Sequence, residues 1–200
     1  MAATSLFFLP GQTAAAETVD VVFEKGTPLR ALASEHLGNP DEWRTILYFT
    51  DHGDTMLSRD FKEFLKSLNA HDVRYLVVGG YAVALHGHPR YTKDLDVWIE
   101  SSPENAETIM RALDEFGFGS VGLKPDDFLQ PDQIIQLGFP PNRNDILTTL
   151  KGLKFEECYA TKVDVDIQGL HIDLIDIINL KKTKRATGRT QDLADAENLS

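Results

Sequence analysis

The chain has 200 residues, 42% of them hydrophobic and 26% charged, with a formal net charge of −11 from 31 acidic and 20 basic side chains. That length suits one ordinary domain with a small appendage and leaves room for a core. The acidity argues against broad, sequence-blind nucleic-acid binding, which rests on a basic surface. The single cysteine, Cys158, rules out an internal disulfide and points to a reducing compartment, the cytoplasm. No apolar run approaches the roughly 18–20 residues of a membrane span, so a membrane partner is not expected. The opening MAATSLFFLPGQTAAA imitates a signal cleavage site, but it has no basic n-region and its apolar stretch is too short for secretion.

Thr18 to Glu24 predicts a strand, after which Gly26 and Pro28 punctuate. Pro28 suits the first turn of a helix, PLRALASEHLG, that Gly38 closes. Asn39-Pro40-Asp41 opens a second helix, DEWRTILYF, and the polar stretch DHGDT marks a boundary. This divides the chain into residues 1–55 and a domain at 56–200. The segment VVFEKGTPLRALASEHLGNPDEWRTILYFT resembles a LysM module of phage-tail and cell-wall proteins over residues 19–51. That resemblance implies a wall- or tail-targeting role. LysM modules close with a second strand paired to the first, and no convincing one follows here.

From Met56 the pattern is cleaner. LSRDFKEFLKSLNAHD is amphipathic, with Phe61, Phe64, Leu65 and Leu68 on one stripe and Ser58 as cap. VRYLVVGG is a short apolar run, as expected of a strand buried on both faces. A helix (YAVALHG), a loop (HPRYTK) and a strand (DLDVWIE) follow. Ser102-Pro103-Glu104 caps a helix over PENAETIMRALDEFGF that Gly117 ends. IIQLGF and RNDILTTL are further strands, FEECYA a short helix, TKVDVDIQ and LHIDLI two strands around Gly169, and helices close the chain. The mixture predicts an α+β or α/β domain: a mixed sheet flanked by helices, with a small N-terminal strand–helix–helix segment.

The chemistry is concentrated in VVGGYAVALHGHPRYTKDLDVWIE, residues 77–100. Gly79 and Gly80 end a strand and open a helix, where glycine lets the backbone approach an anion and free N–H groups cradle phosphate oxygens. Asp94 and Asp96 alternate with Leu95 and Val97, so both carboxylates point to one face, roughly 6.5–7 Å apart along the strand. That spacing suits a shared grip on hard cations. Magnesium favours oxygen ligands and completes its shell with water and substrate phosphates.

This arrangement resembles the nucleotidyltransferase superfamily typified by DNA polymerase β, whose signature is a Gly-Gly or Gly-Ser turn followed by an Asp-x-Asp pair. More narrowly, Gly79-Gly80-Tyr81-Ala82-Val83, His86-Gly87, Pro89-Arg90, Thr92 and Asp94-Leu95-Asp96 resemble the bacterial nucleotidyltransferases of abortive-infection and toxin–antitoxin systems, over residues 57–200. The resemblance implies transfer of a nucleoside monophosphate from a nucleoside triphosphate to a macromolecular acceptor, tRNA or protein. It also implies a cognate toxin or antitoxin as partner and two Mg2+ ions, or Mn2+ in their place. The superfamily uses a third carboxylate on a neighbouring strand. The first candidate is Asp145, which follows a Pro-Pro-x-Arg stretch as in the family, although Asn144 stands where relatives carry an apolar residue. Asp164, Asp166 and Asp173 are its rivals. The ending, with Lys184, Arg189, Asp192 and Asp195 in TKRATGRTQDLADAENL, resembles the family's Lys-x-x-x-Gly-Arg-x-x-Asp-Leu-x-Asp. Lys184 and Arg189 either reach phosphate or pair with the aspartates to hold two closing helices together.

Other polar residues carry less. Arg90 and Thr92, before Asp94, are expected at the substrate. His86 and His88 flank a helix end, where imidazole caps carbonyls, and nothing has zinc-like spacing. Tyr91 and Trp98 are stacking candidates, with Trp98 the better core residue; Cys158 reads as packing. The basic run Lys181, Lys182, Lys184, Arg185 and Arg189 is either a solvated helix face or a contact for triphosphate or RNA. The alternative to an enzyme is a wall- or tail-targeting module that binds nucleotide without turnover.

Overall fold

The computed structural model describes residues 57–88, 92, 94–138, 143–167 and 169–199, together with three short strands nearer the N-terminus. The chain divides into two compact units, residues 1–56 with 89–91, and residues 57–88 with 92–200.

In the first unit, β1 (Thr4–Phe7) pairs antiparallel with β2 (Thr18–Val21) and with β3 (Leu47–Tyr48), giving the order β2-β1-β3. The strand expected from Thr18 is present, with its partner upstream in the sequence. Leu47–Tyr48, expected within a second helix, is a strand instead. It lies in Thr45-Ile46-Leu47-Tyr48-Phe49, a run whose β-branched and aromatic residues favour a pleated surface. The helix expected at 28–38 lies outside the described residues.

The second unit is an α+β domain built on a six-stranded mixed sheet flanked by helices. Its strands are β4 (Tyr75–Val77), β5 (Asp94–Ile99), β6 (Ile134–Leu137), β7 (Arg143–Leu147), β8 (Val163–Ile167) and β9 (Leu170–Leu174), in the order β6-β7-β5-β4-β9-β8. Pairs β5–β7 and β4–β9 are parallel, and the other three are antiparallel. Helix α1 (Arg59–Ala70) starts where the Ser58 hydroxyl accepts from the Phe61 N–H at 3.2 Å. It buries Phe61, Phe64, Leu65 and Leu68 in the core, side chains worth about 1.5–3 kcal/mol each when withdrawn from water. Asn69 on α1 donates to the His171 carbonyl at 2.7 Å and accepts from the Tyr75 hydroxyl, fastening the helix to the sheet.

Strand β4 is shorter than its apolar run because helix α2 (Gly79–Leu85) begins directly after Val78. Helix α3 (Pro103–Leu113), capped by Ser102, passes into a π-helical turn (Asp114–Phe118) that contains Gly117 at φ +99°. The regular helix is therefore shorter than the pattern through Phe118 predicts. Helices α4 (Phe155–Ala160), α5 (Ile177–Thr187) and α6 (Thr190–Asn198) complete the domain. Gly188, left-handed at φ +68°, separates the last two and makes the break that its position suggests. Among the described residues no helix is long and apolar enough to cross a membrane.

Candidate active site

Residues paired across a sheet, and those two apart along a strand, share a face. In the parallel β5–β7 pair, Asp94 stands opposite Arg143 and Asp96 opposite Asp145, so one face carries three carboxylates and a guanidinium. Strand β6 adds Gln136, opposite Asp145, whose amide donates to the Asp145 Oδ2 at 3.5 Å.

Arg143 binds both neighbours. Its Nε donates to Asp145 Oδ1 at 2.7 Å, while Nη2 donates to Asp145 Oδ2 and to Asp94 Oδ2, each at 2.8 Å. Asp145 is buried, whereas Arg143 and Asp94 keep about a quarter of their side-chain surface in solvent (25% and 27%). The hydrogen bonds to Asp145 raise the guanidinium's pKa further above its already high value.

Asp96 stands closest to the α2 entrance. Gly79 sits at φ +62°, and a Cβ built there would collide with the Asp96 carboxylate, so both the backbone and the space require glycine. The Gly80 N–H donates to that carboxylate, and the Val78 N–H donates to the Asp96 carbonyl at 3.0 Å. Burial, followed by the charges of Asp145 and Asp94, pushes the Asp96 carboxyl up to about 6 against the pull of Gly80 and Lys184. The glycine turn expected to cradle phosphate thus spends one N–H on the acidic centre.

The other expected residues are placed as follows. The Thr92 hydroxyl donates to the Asp94 carbonyl at 3.3 Å; Arg90 and Tyr91 lie outside the described residues. Lys184 is buried, donating to Asp192 Oδ1 at 2.6 Å and Asp195 Oδ2 at 2.8 Å. The Thr187 hydroxyl also donates to Asp192. Burial works against the Asp192 charge, but these donors hold its pKa below the usual range. Lys184 therefore clamps α5 to α6 and acts on Asp96 through its field. Arg189 is exposed at the start of α6. The basic run disperses, since Lys181 donates to the Leu199 carbonyl and Lys182 to Asn179. Trp98 and Cys158 are core residues, and burial pushes the thiol up to about 11.

Asp164, Asp166 and Asp173 sit on the β8–β9 hairpin, where Asp164 pairs with Asp173 and Asp166 with His171; β4 and β9 separate β8 from β5. Asp164, His171 and Asp173 offer ligand atoms within 4.8 Å of one another. The Lys162 ammonium already rests on both aspartates, at 3.1 and 2.5 Å. Of the four candidates for a third carboxylate, Asp145 is the one paired with Asp96.

Arg143 and Gln136 are neighbours of the acidic centre that sequence reasoning passed over. Arg143 had a signal: it precedes Asp145 by two residues, so any strand that presents one presents the other on the same face.

Fold and site together define an α+β domain with an acidic centre across two parallel strands. No protein-family model and no curated protein matches the chain. Among solved structures, it is similar to a proposed nucleotidyltransferase from Thermotoga maritima, with 19% identity and a TM-score of 0.48, covering 68% of this chain and 87% of that one. It is also similar to an antigenic nucleotidyltransferase-like protein from Paracoccidioides brasiliensis, with 16% identity and a TM-score of 0.47, covering 72% and 75%. The chemistry of the site is carried by its own residues.

Proposed function

We propose that the chain is a metal-dependent nucleotidyltransferase that moves a nucleoside monophosphate from a nucleoside triphosphate to a macromolecular acceptor. The observation that carries this reading is the register: Asp96 and Asp145 are paired on adjacent strands, with Asp94 on the same face and Gly79 packed against Asp96. All three donors are carboxylates, the chemistry Mg2+ prefers. Burial first, and then the crowding of carboxylates, raises the Asp96 pKa, and Arg143 is paired with two of the three carboxylates, as in a centre short of positive charge. The donor set therefore fits one or two Mg2+ ions, or Mn2+, held by Asp94, Asp96 and Asp145.

Bound there, such an ion would neutralise triphosphate charge and lower the pKa of the attacking hydroxyl. The chain's own residues do the rest by positioning. The acceptor oxygen attacks the α-phosphorus in line, forming the new O–P bond as the bond to pyrophosphate breaks. Asp145 accepts the hydroxyl proton. By the resemblance, Gly79, Gly80, Arg90, Thr92 and Arg189 are the residues assigned to the triphosphate, and the buried Lys184 adds its field at Asp96. Residues 1–55 form a separate extension, LysM-like in part. The resemblance to abortive-infection and toxin–antitoxin enzymes supports a defence setting with a cognate partner.

The test is label transfer from each of four α-labelled nucleoside triphosphates, with Mg2+, in an extract containing RNA and protein. Label is expected on one macromolecule in the wild type and absent with Asp94→Ala and Asp96→Ala. Transfer that persists in both variants would overturn the assignment. Nucleotide binding without transfer from any donor would favour the non-catalytic alternative.

A further inference from the structure

The Arg143 guanidinium occupies both oxygens of Asp145 and the Oδ2 of Asp94, the groups to which the proposed function gives the metal. A divalent ion and an arginine compete for the same carboxylate charge, and their positive charges repel across a site this small. Each Asp145 oxygen already spends a lone pair on Arg143, so an ion that takes the other sits directly against the guanidinium's charge. The Asp94 contact is the easier one to release, since Asp94 and Arg143 are both partly in solvent while Asp145 is buried.

We propose that Arg143 is a built-in placeholder cation: it neutralises Asp94 and Asp145 in the metal-free chain, and metal entry displaces it. This inference rests on the metal-dependent reading above. The placeholder keeps a buried carboxylate from standing unpaired while the site is empty of substrate. It also sets a threshold for metal loading, because an ion must outcompete an interaction already made. The long, partly exposed side chain can leave the carboxylates by rotation without disturbing β7, whose backbone ladder to β5 is independent of it.

The experiment is Mn2+ titration of the full chain without nucleotide, read by electron paramagnetic resonance, for wild type, Arg143→Met and Arg143→Lys. Arg143→Met is expected to bind Mn2+ about tenfold more tightly than wild type, the order of one charge-assisted hydrogen bond no longer forgone. Arg143→Lys should fall between them, keeping the charge without the fork. Thermal unfolding supplies a second readout. In EDTA the Arg143→Met chain should melt below wild type, and Mn2+ should raise its Tm by more than it raises that of wild type. Asp145→Asn placed on Arg143→Met should remove the added affinity. Mn2+ affinity that is unchanged or weaker in a folded Arg143→Met chain overturns the inference while leaving the metal-dependent reading intact. Absence of Mn2+ binding in wild type and both variants overturns that reading and this inference together.

Discussion

Asp96 is the residue at which fold and chemistry conflict most openly. Its pKa in the folded chain, about 6, lies above the 3.8 of an unperturbed aspartate, because burial and two neighbouring carboxylates penalise its charge. Between those two values the folded chain binds the proton more tightly than the unfolded chain. Stability from this group is therefore fully present at low pH and lost as pH rises through about 6, a loss on the order of 2–3 kcal/mol. Asp164, Asp176 and Asp192, whose pKa values are lowered, act in the opposite direction. The clean measurement is the difference between wild type and Asp96→Asn, by urea unfolding in EDTA from pH 4 to 7. The variant should gain stability relative to wild type as pH rises, and be the more stable chain at pH 7 while inactive in transfer. A difference that is flat across that range would mean Asp96 is not desolvated in this way. The two-residue spacing of Asp94 and Asp96 was readable from alternation alone. The charge state of Asp96 was not, because it depends on burial and on Asp145, which is remote in sequence.

At the scale of elements, helix signals were legible wherever a cap and a stripe coincide. Ser58 and Ser102 cap the helices they precede, and the α1 stripe is buried as its spacing requires. What sequence could not decide is where competing signals meet. Phe116 and Phe118 pack against the core, Gly117 bends the chain between them, and a π-helical turn is the compromise. The α5–α6 pair poses a different problem: Lys184, Asp192 and Asp195 suit a phosphate site and an ion-pair clamp equally well on paper. Burial distinguishes them, for Lys184 is 5% exposed and its ammonium is committed to two carboxylates. Removing one partner of a buried pair leaves the other charged and unpaired, which costs about 3–5 kcal/mol. Lys184→Met should lose stability of that order by urea unfolding, with much of it recovered when Asp192→Asn and Asp195→Asn are added. A loss confined to transfer, with unchanged stability, would instead place Lys184 at the substrate.

For the whole molecule, the mixed sheet follows from alternating helical and apolar stretches, and that much the sequence discloses. Strand order does not follow, since β4 lies between β5 and β9, and β7 reaches β5 across the segment containing α3 and β6. Only that register brings Asp145 to Asp96, which is why Asp145, the first of four candidates, kept three rivals until the fold was known. The same register means that no single strand or hairpin holds the acidic centre. Ser120, Val121 and Gly122 lie exposed between the strand that carries Asp94 and Asp96 and the strand that carries Asp145. A cut between Ser120 and Val121 divides the centre into two inert halves, one with β4 and β5, the other with β6 to β9. Each half lacks a neighbouring strand that the other supplies, so the two should reassemble by completing the sheet. Fragments 1–120 and 121–200 would then show label transfer only when mixed, making this domain a two-part reporter whose signal is the closure of its own sheet.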